Sequence, residues 1–290
     1  MLRQLLPKHK MKLLFQRSLR SCSRRIEAGK IMAEAVLLST DCEIVARLVA
    51  AADTFLIEQA EWEQLRQGAE YAPIGATVPS LLGVEAYFGA ASALGRAFPN
   101  PEQDVVRELF AECIKAILQS ETYLYLQRGF ADSQAYQDNW DVSHPNSCRY
   151  YSHLDAVHSR WFDHIGPQPR SQNLFHRHKN VAVWISATDL LQATGSFLDS
   201  FHEVGIVTEC ELSGEIKNVA ATFIRAPDQI CFGTAQAVTE LVGQNIRQLM
   251  RREINRCIGG AEGCAHLLDI GRDTLMELRK ALDSIDGLRS

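Results

Sequence analysis

The hydrophobic period of the chain changes near residue 175, and this change constrains the fold more than any single motif. Before it, apolar residues recur at helical spacing. Asp41 is placed to cap a helix reaching about residue 67, with Ile44, Leu48, Ala51, Phe55 and Leu56 on one face. Pro79-Ser80 opens a second helix, and Pro99-Asn100-Pro101 breaks it. A third is expected over residues 102–127, with Val105, Leu109, Ile117 and Leu124 inside, and Gly129 stops it. Short helices follow around 133–140 and 154–164. After residue 175, segments 180–188, 204–212 and 215–224 read as strands. Helices then follow Cys231, span about 245–257, and run from Cys264 to about 283. The expected fold class is α+β. A helical bundle over residues 33–175 precedes an α+β domain over 176–290, whose small sheet is covered by helices.

Charge is distributed unevenly. Residues 1–30 carry nine Lys or Arg against one acid, Glu27, whereas the rest of the chain has 21 basic and 34 acidic residues. Residues 1–32 are therefore expected to be a basic, disordered segment: a targeting peptide, a solvated arm, or sequence upstream of an alternative start at Met11 or Met32. The acidic body makes nucleic acid an unfavourable partner. No apolar run is long enough to span a membrane. Eight cysteines scattered through 290 residues do not form a small disulfide scaffold, and a cytoplasmic location fits them best.

Two cysteines stand where loops run into helices. Cys231 follows Arg225-Ala226-Pro227-Asp228, and Cys264 lies in Gly259-Gly260-Ala261-Glu262-Gly263-Cys264-Ala265-His266-Leu267. A helix N-terminus lowers a thiol pKa, and the thiolate is the form that binds metal or attacks. Cys264 and His266 together offer a soft and a borderline ligand. His202-Glu203 adds an imidazole and a carboxylate, but neighbours on a strand face opposite ways, so both enter one site only if the strand starts later. Asp228 can cap the helix it precedes, and Arg225 can hold an anion or Asp228 itself. Cys148-Arg149-Tyr150-Tyr151 is a polar, aromatic stretch between helices, of the kind that lines ligand sites. Trp140 and Trp161 read as packing aromatics.

His202-Glu203, Pro227 to Cys231 and Gly263-Cys264-Ala265-His266-Leu267 together resemble a bacterial domain family of unknown function, over about residues 195–280. The resemblance implies a site and no reaction. A weaker, topological likeness is to the iron–sulfur cluster scaffold proteins, which also place cysteines and a histidine at helix starts after a hairpin.

Dinucleotide, phosphate-loop and serine-hydrolase motifs are absent, as is any Cys-Xaa-Xaa-Cys. Three functions follow. The first is a metal-binding protein or metalloenzyme with zinc or iron on His202, Cys231, Cys264 and His266, and Glu203 as acid/base. The second is a metal-free thiol enzyme with Cys264 as nucleophile. The third is a non-catalytic module that binds a small molecule or a protein partner, with Cys148, Arg149, Tyr150, Tyr151, Arg225 and Asp228 as candidate ligand contacts.

Overall fold

The computed structural model describes residues 11–166 and 168–289. Its strands are β1 (Lys12–Glu27), β2 (Lys30–Ser39), β3 (Cys42–Ala51), β4 (Ile57–Gln67), β5 (Ile74–Thr77), β6 (Asn173–Ile185), β7 (Leu190–Asp199), β8 (Glu203–Glu211) and β9 (Ile216–Arg225). The α-helices are α1 (Ala91–Ala97), α2 (Asp104–Ser120), α3 (Ser133–Ser143), α4 (Arg149–Ser152), α5 (Trp161–Ile165), α6 (Gln229–Phe232), α7 (Arg251–Ile258) and α8 (Ala265–Arg289). All nine strands form one sheet in the order β5-β4-β3-β2-β1-β6-β7-β8-β9, and every neighbouring pair is antiparallel. Among the described residues no helix is long and apolar enough to cross a membrane.

The helical bundle expected before residue 175 is overturned. Residues 41–67 are the hairpin of β3 and β4, not a helix. The cause lies in β3, which buries Ile44, Ala46, Leu48 and Ala50 on one face and Val45 and Val49 on the other. A run that is apolar on both faces fits the helical period as well as the strand period. The basic segment is overturned as well. Lys12–Glu27 is a central strand paired on both sides, although residues 1–10 lie outside the described residues. Its buried face is Arg17, Leu19, Ser21 and Ser23, which carries almost no apolar signal. Small side chains suit it because α2 and α8 both pack on this face; Ser23 hydrogen-bonds Ser120 of α2. The third expected helix is present as α2. Strand β7 was missed.

The two ends of the sheet repeat one another. Gly29 and Asp189, both with positive φ, turn the chain into β2 and β7 and are 160 positions apart. Gly83 and Gly243 share that offset, and donate to the carbonyls of Ile57 and Ile216 respectively. Thr40 donates to Gln16, and Ser200 to His176, at the same offset. Helices α1 and α2 correspond in the same way to α7 and α8. The first half is a five-stranded meander and the second a four-stranded one, each with a long helix across it and its own hydrophobic core. The halves join at β1 and β6, where Leu19 pairs with Lys179, the position 160 residues on. A pseudo-two-fold axis therefore passes through that pair. Residues 121–172 connect the repeats and belong to neither.

Charges are buried at this axis. Lys179, 2% exposed, meets Glu112, Asp269 and Asp273 at 3.3, 3.2 and 2.9 Å. Arg17 meets Glu108 and Asp273 at 2.6 and 3.2 Å, and Arg177 meets Glu112 and Asp199 at 3.4 Å each. Lys179→Met would leave three buried acids without their shared cation, a loss of about 3–5 kcal/mol by denaturant titration. A variant as stable as the wild type would show that the cluster does not hold the seam. Gly195→Ala tests the helix contact separately. A Cβ there would lie 2.1 Å from Thr274 Oγ1 and 2.8 Å from Ile206 Cγ2, so it should cost about 1–3 kcal/mol.

Candidate functional site

One cavity of about 250 Å³ lies between the second repeat and the connector. The floor comes from the second repeat. Asp199 ends β7, and its Oδ1 accepts from the backbone N–H of Phe201 and His202, at 2.8 and 2.7 Å. This capped turn swings His202 to the cavity edge, where its Nδ1 lies 3.2 Å from the same oxygen. Oδ2 faces Arg177. Burial would raise the Asp199 carboxyl, but the hydrogen bond from His202, with the nearby Arg177 guanidinium, outweighs it and holds the carboxyl well below the usual carboxylate range. With an ionised acceptor at Nδ1, the neutral ring carries its proton there and leaves Nε2 as a lone-pair acceptor.

His266 stacks on His202 with ring centroids 3.7 Å apart and planes inclined by 25°. Burial, with His202 alongside, lowers its pKa well below the ordinary value, so it is neutral. Cys264 Sγ lies 3.9 Å from His266 Nδ1. The loop that sets these two side chains is tight: Cys264 N–H donates to Ile258 O, and a Cβ on Gly263 would stand 2.0 Å from the same oxygen. That close approach is why glycine precedes Cys264. Arg149 N–H donates to Gly263 O, which ties the connector to this loop.

The walls come mainly from the connector. Trp140 is fixed by His144, stacked at 4.2 Å, and by Glu121, which accepts from its Nε1 at 3.4 Å. Tyr136, Tyr150, Tyr151 and Trp161 complete an aromatic surround.

His202, Cys231, Cys264, His266, Cys148, Arg149, Tyr150 and Tyr151 all line this cavity. The other three candidates do not. Glu203 begins β8 opposite Arg225 and lies outside the cavity, so it is not placed to act beside His202. Arg225 donates to the carbonyls of Asp199 and Ser200 and braces the His202 turn. Asp228 caps α6 through Ile230 N–H, and its other oxygen accepts from His158 and Ser159 of the connector. Sequence reasoning missed Asp199, whose only signal is an acid three residues before a histidine at a strand end. It also read Trp140 and Trp161 as packing alone.

The expected thiolates are corrected by burial. Cys264 caps α8 and Cys231 lies in α6, yet burial pushes their thiols up to about 12 and about 11, against the pull of backbone N–H groups. Metal ligation meets a geometric difficulty. Among the described residues the grouping suited to an ion is Asp199, His202 and His266, with ligand atoms within 4.8 Å of one another, and it includes neither cysteine. Imidazole binds through a lone pair in the ring plane, at about 2.0–2.1 Å. Rings stacked at this separation and tilt have planes meeting roughly 8 Å away, too far for one ion to join both without a ring turning.

A family model described as a protein of unknown function, DUF2889, matches residues 187–279. The matched part carries Asp199, His202, Cys231, Cys264 and His266, whereas the aromatic walls at residues 136–161 lie outside it. No curated protein and no solved structure matches the chain.

The lowered His266 pKa has a consequence for stability. The unfolded chain binds a proton near the ordinary value of 6.5 and the folded chain resists it, so stability falls as pH drops through that value. Between pH 7.5 and 5.5 the wild type should lose about 1 kcal/mol more than His266→Gln. His164, His176 and His178 are shifted the same way but are common to both proteins. Equal losses would refute a neutral, buried His266.

Proposed function

We propose that the protein is an acid–base enzyme acting on an apolar small molecule, with His202 as the proton-transfer group and Asp199 as its orienting carboxylate. The observation that carries this reading is the buried Asp199–His202 pair at the floor of an aromatic cavity. Asp199 fixes the ring and stabilises the imidazolium that forms when Nε2 takes a proton from the substrate. The apolar walls exclude water and strengthen that interaction. Neutral His266, stacked on His202, adds no charge of its own against the imidazolium. Cys264, held as a neutral thiol, is a contact to substrate here and not a nucleophile. It should therefore alkylate with iodoacetamide much more slowly than an ordinary exposed thiol, and fast alkylation would favour the thiol-enzyme reading.

A second reading is a zinc or iron site on Asp199, His202 and His266, favoured by the closeness of their ligand atoms. It requires one imidazole to turn out of the stack and Asp199 to give up hydrogen bonds. Two measurements decide between the readings. Nitrogen-15 NMR of the imidazoles should show His202 protonated at Nδ1 only, with the preference lost in Asp199→Asn. Protein purified in metal-replete buffer should carry no stoichiometric zinc or iron. About one ion per chain, lost in His202→Gln, would replace the first reading by the second.

A further inference from the structure

The cavity also restricts what it can hold. We infer that its ligand is a neutral, flat aromatic molecule of one substituted ring or two fused rings, with a hydroxyl or carbonyl group that Gln137 reads. This rests on the acid–base reading of the same cavity and names its substrate class.

Size comes first. An apolar cavity of roughly 150 Å³ takes benzene. At about 250 Å³ this one has room for a second fused ring or a short substituent. Shape comes from the walls. Tyr136, Trp140, Tyr150, Tyr151 and Trp161 present ring faces and edges, and Trp140 is held rigidly between His144 and its bond to Glu121. Flat rings meet such walls in stacked and edge-on contact, whereas a puckered alicycle of the same size gains only burial.

Charge narrows the class. The ionic side chains on the lining are already matched: Asp141 pairs with Arg160, and Arg149 with Glu262 at 3.1 Å. His266 is neutral. Among the described residues Arg149 Nε has no partner, but its charge already faces Glu262, that of Arg160 faces Asp141, and His202 faces Asp199. A carboxylate or phosphate carried into the cavity would compete for cations that are already balanced, and an unbalanced charge there is costly.

Gln137 supplies the polar contact. It lies on α3, is 6% exposed, and lines the cavity. Among the described residues nothing hydrogen-bonds its side-chain amide, whereas nearby Tyr136 and Trp161 both reach Thr122. Its amide is not sealed from solvent, so a ligand hydroxyl or carbonyl takes the place of water at that group.

Equilibrium dialysis of the full chain at pH 7.5 tests this with 2-naphthol, naphthalene, 2-naphthoate and decahydro-2-naphthol. The first should bind at least tenfold tighter than 2-naphthoate and than the saturated alcohol. Gln137→Leu should weaken 2-naphthol about tenfold and leave naphthalene unchanged or tighter; retained naphthalene binding shows that the variant is folded. The proposal is overturned if 2-naphthoate binds as well as 2-naphthol, if the saturated alcohol matches it, or if Gln137→Leu affects naphthol and naphthalene alike. The nitrogen-15 shift of His202 separates this from the acid–base reading. Binding with the expected preferences but no shift supports the ligand class and removes the catalytic role. A shift with 2-naphthoate preferred does the reverse.

Discussion

The fold depends on a set of charges whose cations are almost wholly buried. Lys179, Arg177 and Arg17 on the two central strands face Glu108 and Glu112 of α2 and Asp269 and Asp273 of α8. Each repeat supplies both signs, and the pairs Arg17–Asp273, Lys179–Glu112 and Arg177–Glu112 tie one repeat to the other. Burial alone would drive these acids towards neutrality, and it does raise Asp273. The neighbouring lysines hold Asp269 far below its ordinary value and Glu112 at about 2. Buried ion pairs are weak sources of net stability, but they tolerate no substitution of partners. What they supply at this seam is register: a slip of β1 against β6 by one residue would turn Arg17 to the opposite face from Lys179.

Duplication explains the architecture, and the connector explains the site. Two meanders with a helix apiece, joined edge to edge, make a sheet nearly symmetric about the pair of Leu19 and Lys179. A symmetric body of this kind has two equivalent surface positions near the ends of β2 and β7. Residues 121–172 cover only one of them. Asp228 of the second repeat binds two backbone N–H groups of the connector, and Gly263 O binds a third. The aromatic residues are thereby brought over the His202 turn of the second repeat, with Phe88 of the first repeat against Trp140.

The C-terminal half of this arrangement was legible in the sequence and the N-terminal half was not. Strand β8 alternates cleanly because one face is core and the other is wet, and β9 does so from Val219 to Phe223, beyond a bulge. Strand β3 is buried on both faces and β1 buries serine and arginine, so neither shows the expected period. Alanine-rich β2 and β3 lie under α2, where small side chains let the helix approach. The repeat is invisible at the level of identity because positions 39–42 read Ser-Thr-Asp-Cys and positions 199–202 read Asp-Ser-Phe-His. At the site, Cys231, Cys264, His202 and His266 were found from loop and helix signals. A dipole at a helix start is outweighed there by the desolvation of the thiols, which raises Cys231 and Cys264.

The same turn recurs in both repeats, with a carboxylate in only one. Ser39 Oγ accepts from the backbone N–H of Asp41 and Cys42, as Asp199 Oδ1 does from Phe201 and His202. A serine is sufficient for that structural task. An aspartate adds a charge, and a buried charge needs a counterion. Arg177 provides it in the second repeat, whereas its counterpart Arg17 is committed to Glu108, Asp273 and Glu277. Asp199 is therefore more than a capping residue. It is the point where the ion cluster at the seam reaches the cavity, beside His202 and His266.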